Sequence, residues 1–327
     1  MGRGPSRRAG AALWQVFLDG TGNGIYNKHK RFAWKGEAAM PMPRAAAIHD
    51  LSGFGRCSLT IVMPVLSAMG VQCCPLPTAL LSTHTGGFEG NTFLDLTDQI
   101  GPIGAHWKAE GVAFDAVYTG FMGSREQIAL TEAFIRDRRG PGCRIVVDPV
   151  MGDHGRAYRT YTPEMCRAMA GLAALADVVT PNRTEAAMLL GVDYGGLRLD
   201  REEDCRRWCE ALSLEGRRSV VLTGVSLMEG TVGAACFDRE TGRVEFAAAP
   251  LADGTFHGTG DLFASVLVGA LVRDWPLVEA AQLAAEFTSQ CAQRTLEAGT
   301  PPREGVGFEP LLWRLGQRME ENGSWRI

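Results

Sequence analysis

No stretch of the 327-residue chain strings together eighteen apolar residues, so it holds no segment long enough to cross a membrane as a helix. The basic opening is not followed by the apolar core and cleavage pattern of a signal peptide, and a cytoplasmic protein is expected. Nine cysteines occur, an odd number, with no C-x-x-C pair and no cysteine–histidine cluster at metal spacing. Reduced core thiols are the simplest reading, for the adjacent Cys73 and Cys74 and for Cys205 and Cys209 one helical turn apart as for the rest. An excess of positive charge is missing as well: 33 Lys/Arg against 37 Asp/Glu give a net charge of -4, which offers no general attraction to nucleic acid or an anionic membrane. Internal repeats and low-complexity tracts are absent.

The charge is unevenly spread. Residues 1–44 carry eight Lys/Arg against two Asp/Glu, a net +6, which leaves -10 on residues 45–327. Residues 1–43 show no sustained helix or strand period and read as a disordered extension, followed by one domain at 44–320 and a short tail at 321–327. The extension holds a decoy, Asp19-Gly20-Thr21-Gly22-Asn23-Gly24, which no helix follows. A translation start at Met40 or Met42 is also consistent with this segment, with Lys35-Gly36-Glu37 as a translated ribosome-binding sequence; the intact mass decides.

From Ala45 onward short continuous apolar runs alternate with longer helical ones. Strands are expected at 45–49, 71–76, 116–120, 144–148, 177–180 and 219–223, and helices at 58–69, 124–138, 163–176, 184–190 and 201–214. Asp50–Arg56 reads as a glycine-rich turn and 77–91 as a polar stretch. Continuous rather than alternating strands are buried on both faces, and strand–helix alternation implies a parallel sheet with right-handed crossovers. The segments 233–238 and 243–247 flank a turn and read as a β-hairpin; helices at 261–273, 276–298 and 309–321 complete an α/β protein.

The loop Gly254-Thr255-Phe256-His257-Gly258-Thr259-Gly260-Asp261 runs directly into an apolar helix. Gly258 and Gly260 allow the backbone N–H groups to turn toward a common point, and the helix dipole adds positive charge there, so an anion should bind. Asp261 repels such an anion unless it has chemical work, such as taking a proton from a hydroxyl nucleophile. The plainer alternative is a first-turn carboxylate that favours the dipole.

In an open parallel sheet ligands bind beyond the carboxyl ends of the strands. Polar residues crowd there: Asp50 to Arg56, Ser82 to Gly87, Asp148 to Asp153, Thr180 to Glu185, and Thr223-Gly224. Asp148 and Glu185, with Asn182, could hold a hydrated magnesium ion, which needs one or two protein carboxylates plus phosphate oxygens. Alternatively Asp148 is a strand-end cap and Glu185 a helix N-terminal carboxylate. Thr223-Gly224 fits either a nucleotide edge or a plain strand exit, and His84 either a substrate ring or a structural hydrogen bond.

Taken together, Ala47-Ile48-His49-Asp50-Leu51-Ser52-Gly53-Phe54-Gly55, Leu81-Ser82-Thr83-His84-Thr85-Gly86, Val147-Asp148-Pro149-Val150-Met151-Gly152, Thr180-Pro181-Asn182-Arg183-Thr184-Glu185 and Gly258-Thr259-Gly260-Asp261 resemble the ribokinase superfamily and, within it, the pyridoxal (pyridoxine, pyridoxamine) kinases, over roughly residues 44–318. The resemblance implies a single ribokinase-like domain, a mostly parallel sheet sandwiched by helices, usually a homodimer, which transfers the γ-phosphoryl of ATP to a hydroxymethyl group with Mg2+. It places Asp261 as general base with Gly258, Thr259 and Gly260 as the anion hole. Asp148 and Glu185 fall near metal and phosphates, Asn182, Thr223 and Gly224 on the nucleotide side, and Asp50, Ser52, His84, Thr85 and Phe121 on the substrate side. Residues 153–158 match a mobile flap.

Two departures stand out: His49-Asp50 replaces a frequent Gln-Ser pair, and Phe121 a frequent tyrosine. An acidic Asp50 beside the ring would favour a cationic substituent such as the aminomethyl group of pyridoxamine. Hydroxymethylpyrimidine kinases of thiamine synthesis share fold, loop and base and form the enzymatic alternative. A catalytically silent vitamin or nucleotide sensor is the other.

Overall fold

A computed structural model of the protein describes residues 42–323. Most of the expected extension and part of the expected tail, with the Asp19–Gly24 loop and a start at Met40, lie outside those residues. The described chain runs β1 (Arg44–Phe54), α1 (Leu59–Ala68), β2 (Gln72–Thr83), β3 (Phe93–Asp95), α2 (Thr97–Ala109), β4 (Ala116–Thr119), α3 (Arg125–Arg138) and β5 (Arg144–Val147). A two-stranded flap, β6 (Gly152–Asp153) and β7 (Arg156–Ala157), precedes α4 (Pro163–Ala173), β8 (Val178–Val179), α5 (Arg183–Leu190), α6 (Glu202–Leu212) and β9 (Ser219–Val225). The hairpin β10 (Thr231–Asp238) and β11 (Arg243–Pro250) leads to α7 (Thr259–Val272), α8 (Leu277–Glu297) and α9 (Leu312–Glu321).

Nine strands form one sheet in the order β11-β10-β9-β8-β5-β4-β1-β2-β3. From β9 to β2 every pair is parallel; the β9–β10–β11 end and the β2–β3 edge are antiparallel. The sheet core follows from β-branched and small residues: Ala45 to Ile48, Val117, Ile145 to Val147, Val179 and Val220 to Leu222 are all fully buried. One apolar layer packs α1, α7, α8 and α9 against one face, and a second packs helices α2 to α6 against the other. The α/β sandwich is therefore the one expected. Among these helices α7 is apolar all round, with Leu262 to Leu271 buried, as a central helix covered on every side must be.

β1 enters the sheet between β4 and β2, and the chain builds outward to either side of it. The carboxyl ends of β1 and β4 thus flank the point where strand order reverses, the crevice in which such sheets bind ligands.

Two expectations need correction. Asp50–Phe54 is not a turn but the second half of β1, and 77–83 is not a loop but the second half of β2, because the two pair out to Phe54 and Thr83. The register slips between His49 and Leu51, which re-aims Asp50. The segment 92–115 holds β3 and the helix α2, hidden in sequence by Gly101, Pro102 and Gly104 inside the helix.

Candidate active site

The loop before α7 leaves the start of that helix open. Gly258 takes the N-cap position with φ 81, a left-handed conformation suited to glycine, and no side chain caps the helix. The N–H groups of Thr259, Gly260 and Asp261 therefore open the helix without intrahelical partners. A Cβ on Gly258 would stand 2.2 Å from the Arg56 carbonyl oxygen, so the loop is pressed against the β1–α1 connection. Gly260 differs from expectation: it lies within the helix, its φ is not positive, and a Cβ there would meet nothing within 4 Å. Its role is to leave space above the helix end.

Asp261 sits in the first turn of α7, half-buried, and its Oδ2 accepts the Ser58 N–H at 2.8 Å. Burial pushes its carboxyl up to about 6; the Ser58 N–H opposes that shift and the charge of Asp50 adds to it. Asp50 is 7% exposed, with Oδ1 accepting the Ser58 hydroxyl at 2.6 Å and Oδ2 the Ser52 hydroxyl at 3.0 Å. Ser52 is itself fully buried. Asp50 and Ser52, two of the five residues expected on the substrate side, are thus turned into the protein, so an ion pair between Asp50 and a substrate amine is not presented to the cleft.

Asp148 directly follows β5 and is buried; burial first, then the charges of Glu185 and Asp261, hold its carboxyl well above the usual range. Glu185 closes a capping box on α5: its oxygens accept the N–H of Met151 at 3.2 Å and of Asn182 at 2.8 Å, while its own N–H donates to Asn182 Oδ1 at 3.0 Å. Burial pushes Glu185 up to about 7 despite those bonds. Asn182 spends its amide on Gly152, with Nδ2 donating to the carbonyl at 2.9 Å. Asn182 and Glu185 thus first build the wall beneath the 152–157 flap, which Thr184 holds through a 2.9 Å bond from the Gly155 N–H.

The charges of Glu185 and Asp261 both bear on Asp148, that of Asp153 on Glu185 and that of Asp50 on Asp261, and no guanidinium or ammonium is among the described groups that shift these three carboxyls. No three His, Cys, Asp or Glu side chains form a metal cage among the described residues. The uncompensated charge fits a cation that brings most of its own ligands, as Mg2+ on a polyphosphate does.

Thr223 lies in β9 beyond its last parallel partner, Val220, and its N–H donates to the Pro181 carbonyl at 3.0 Å, which brings it beside Asn182. Gly224 is exposed with φ 79 and open space around it. His84 is buried and committed: Nδ1 accepts the Gly86 N–H at 3.1 Å, so Nε2 carries the proton and donates to the Arg303 carbonyl at 2.7 Å. The ring holds a loop closed, and burial lowers its pKa. Thr85 is exposed, and Phe121 is half-buried, 6.1 Å from the Tyr161 ring. His49, fully buried, stands edge-on to Tyr118 at 4.4 Å; burial takes its pKa to about 3 and keeps it neutral.

Two site features escaped sequence reasoning. Ser58 joins Asp50 to Asp261, although from sequence it is only a serine ahead of a helix. Residues 302–306 close over the site, with the Arg56 N–H donating to the Glu304 carbonyl at 3.1 Å and the Val306 N–H to the His257 carbonyl at 3.0 Å. No local pattern announces this long-range clamp.

The family model described as phosphomethylpyrimidine kinase matches residues 63–305. A thiamine biosynthetic bifunctional enzyme from Oryza sativa is 25% identical over 284 residues, 84% of this chain, and the chain spans only half (50%) of that relative's length. Among solved structures, a Bacteroides thetaiotaomicron protein described as a phosphomethylpyrimidine kinase superposes with a TM-score of 0.79 at 40% identity, covering 86% of this chain and 96% of its own. An orthorhombic crystal form of that protein, matching at 39% identity, contains pyridoxal. Pyridoxal kinase from Lactobacillus plantarum superposes with a TM-score of 0.77 at 30% identity, covering 88% of this chain and 100% of its own.

Proposed function

The chain belongs to the phosphomethylpyrimidine kinase family, with the ribokinase-like fold of the pyridoxal kinases, and from that premise we propose that it phosphorylates the 5′-hydroxymethyl group of a B6 vitamer with ATP. The observation that carries the reaction type is Asp261, a carboxylate raised to about 6 at the mouth of an otherwise electropositive helix end. A carboxylate there opposes anion binding and is useful only when a proton must leave as the anion arrives.

In this reading Asp261 accepts the proton of the attacking hydroxyl, and the N–H groups of 259–261 receive the transferring phosphoryl group behind Gly258 and Gly260. Asp148 and Glu185 would hold Mg2+, which would neutralise phosphate charge when bound. Thr223, Gly224 and Asn182 line the nucleotide side. Phe121 and Thr85 offer the ring its contacts. The flap at 153–158 covers the site and excludes water. The enzyme works as a homodimer.

The choice of B6 over a pyrimidine rests on the pyridoxal found in the Bacteroides protein. Hydroxymethylpyrimidine or its phosphate is the second reading, favoured by the family model and the rice relative. An ADP-release assay with pyridoxal, pyridoxine, pyridoxamine, hydroxymethylpyrimidine, its monophosphate and ribose separates them. The highest kcat/KM on a vitamer supports the proposal; the highest on either pyrimidine replaces it; ligand-dependent melting with no turnover of any acceptor points to a sensor.

A further inference from the structure

Ser58 is buried, yet its backbone takes φ 47 and ψ -132, close to the first corner of a type II′ turn, a place that glycine prefers. Such strain persists only where the surroundings over-determine it. Four hydrogen bonds do so here. The Ser58 carbonyl opens α1 by accepting the N–H groups of Ile61 and Val62, each at 3.0 Å; the N–H donates to Asp261 Oδ2 at 2.8 Å; and the hydroxyl donates to Asp50 Oδ1 at 2.6 Å instead of capping its own helix. Asp50 is in turn fixed by the Ser52 hydroxyl at 3.0 Å, on the strand where the register slips.

We propose that Asp50 serves the reaction through Ser58 and not through the substrate: it tethers the serine hydroxyl, which keeps the strained peptide aimed at Asp261 and holds the base in place. Asp50 and Ser58 are then positioning residues. The inference rests on Asp261 being the base. The geometry explains why an acidic side chain lies so near a second carboxylate, since its oxygens serve two serine hydroxyls. It also explains why a serine stands where backbone preference calls for glycine: only a side chain can be tethered.

The test compares Asp50→Ala, Ser58→Ala, Ser58→Gly and the double variant Asp50→Ala/Ser58→Gly, with kcat, KM for ATP and acceptor, and Tm measured on the full chain. Asp50→Ala and Ser58→Ala, which lose the tether, are expected to lower kcat by about tenfold or more with KM for ATP within about twofold, as misplacement of a reacting group does. Ser58→Gly loses the hydroxyl but adopts the turn without strain, and retains several-fold more kcat than Ser58→Ala. Glycine at 58 also restores several-fold of the kcat lost in Asp50→Ala. A double variant as slow as Asp50→Ala overturns the inference and returns Asp50 to the substrate or to general stability. Should Asp50→Ala not fold, Ser58→Gly as slow as Ser58→Ala overturns it alone. Asp261→Asn with full turnover defeats the base itself; Asp261→Asn without turnover beside an unrescued double variant defeats only the tether.

Discussion

Asp261 binds its proton more tightly than an exposed carboxyl does because burial penalises the charge, and this sets both an activity and a stability profile. As a base it works only when deprotonated, so kcat/KM should fall as pH drops through about 6. Stability carries the opposite sign. Between the ordinary carboxyl value of 3.8 and about 6 the folded state holds more protons than the unfolded one, so the wild type loses stability as pH rises across that window. Asp261→Asn removes the buried charge and can still accept the Ser58 N–H through its amide oxygen. We expect its kcat to fall by about 10²–10⁴-fold. Its Tm should exceed that of the wild type by a margin that grows from pH 4 to pH 6 and stays level above. Melting curves across pH check this; a margin independent of pH would mean that the carboxyl is not under strain from burial.

The N-terminus of α7 separates two glycines that look alike in sequence. Gly258→Ala forces a methyl to within 2.2 Å of the Arg56 carbonyl oxygen and 2.7 Å of Ile61 at a positive φ, and should cost about 1–3 kcal/mol of stability together with ATP affinity. Gly260→Ala meets nothing within 4 Å and sits in helical backbone, so it should stabilise by up to about 1 kcal/mol. Its methyl nevertheless occupies the space above the free N–H groups, and kcat/KM for ATP should fall by about tenfold or more. A stable Gly260→Ala with normal kinetics would remove the anion cradle from the mechanism. From sequence both residues read as turn-formers, and only backbone geometry tells them apart. The same limit runs through the fold. Strand and helix periods located the parallel core and the last three helices, because burial on both faces leaves an uninterrupted apolar signature. The second halves of β1 and β2 were hidden, since Ser52, Gly53 and Pro77 carry turn propensity that pairing across the sheet overrides. At the site, the strand-end carboxylates were legible one by one. The inward turn of Asp50, the capping duties of Asn182 and Glu185, and the clamp of 302–306 depend on partners distant in sequence or on a register slip.

Across the whole molecule the charge works against the ligand the site is built to receive. Residues 45–327 carry a net -10, and Asp148, Glu185 and Asp261 converge at the carboxyl ends of the strands without a cationic partner among the described residues that shift them. A nucleoside triphosphate alone would add four negative charges or nearly so to that cleft, whereas its magnesium complex supplies the missing cation. Nucleotide binding should therefore depend on the metal, beyond any need for metal in the chemical step. A ligand present at 100 times its Kd stabilises the folded state by about 2.7 kcal/mol, which for a domain of this size is a rise of roughly 4–6 °C in Tm. Thermal melts at pH 8 with ATP plus Mg2+ should show a rise of that order, and melts with ATP plus a chelator little or none. Asp148→Asn should shrink the gap between the two conditions, because it removes a charge that both repels the bare nucleotide and attracts the metal. Equal shifts with and without Mg2+, in wild type and variant alike, would take Asp148 and Glu185 out of metal binding and leave Glu185 as the capping-box carboxylate that its hydrogen bonds already make of it.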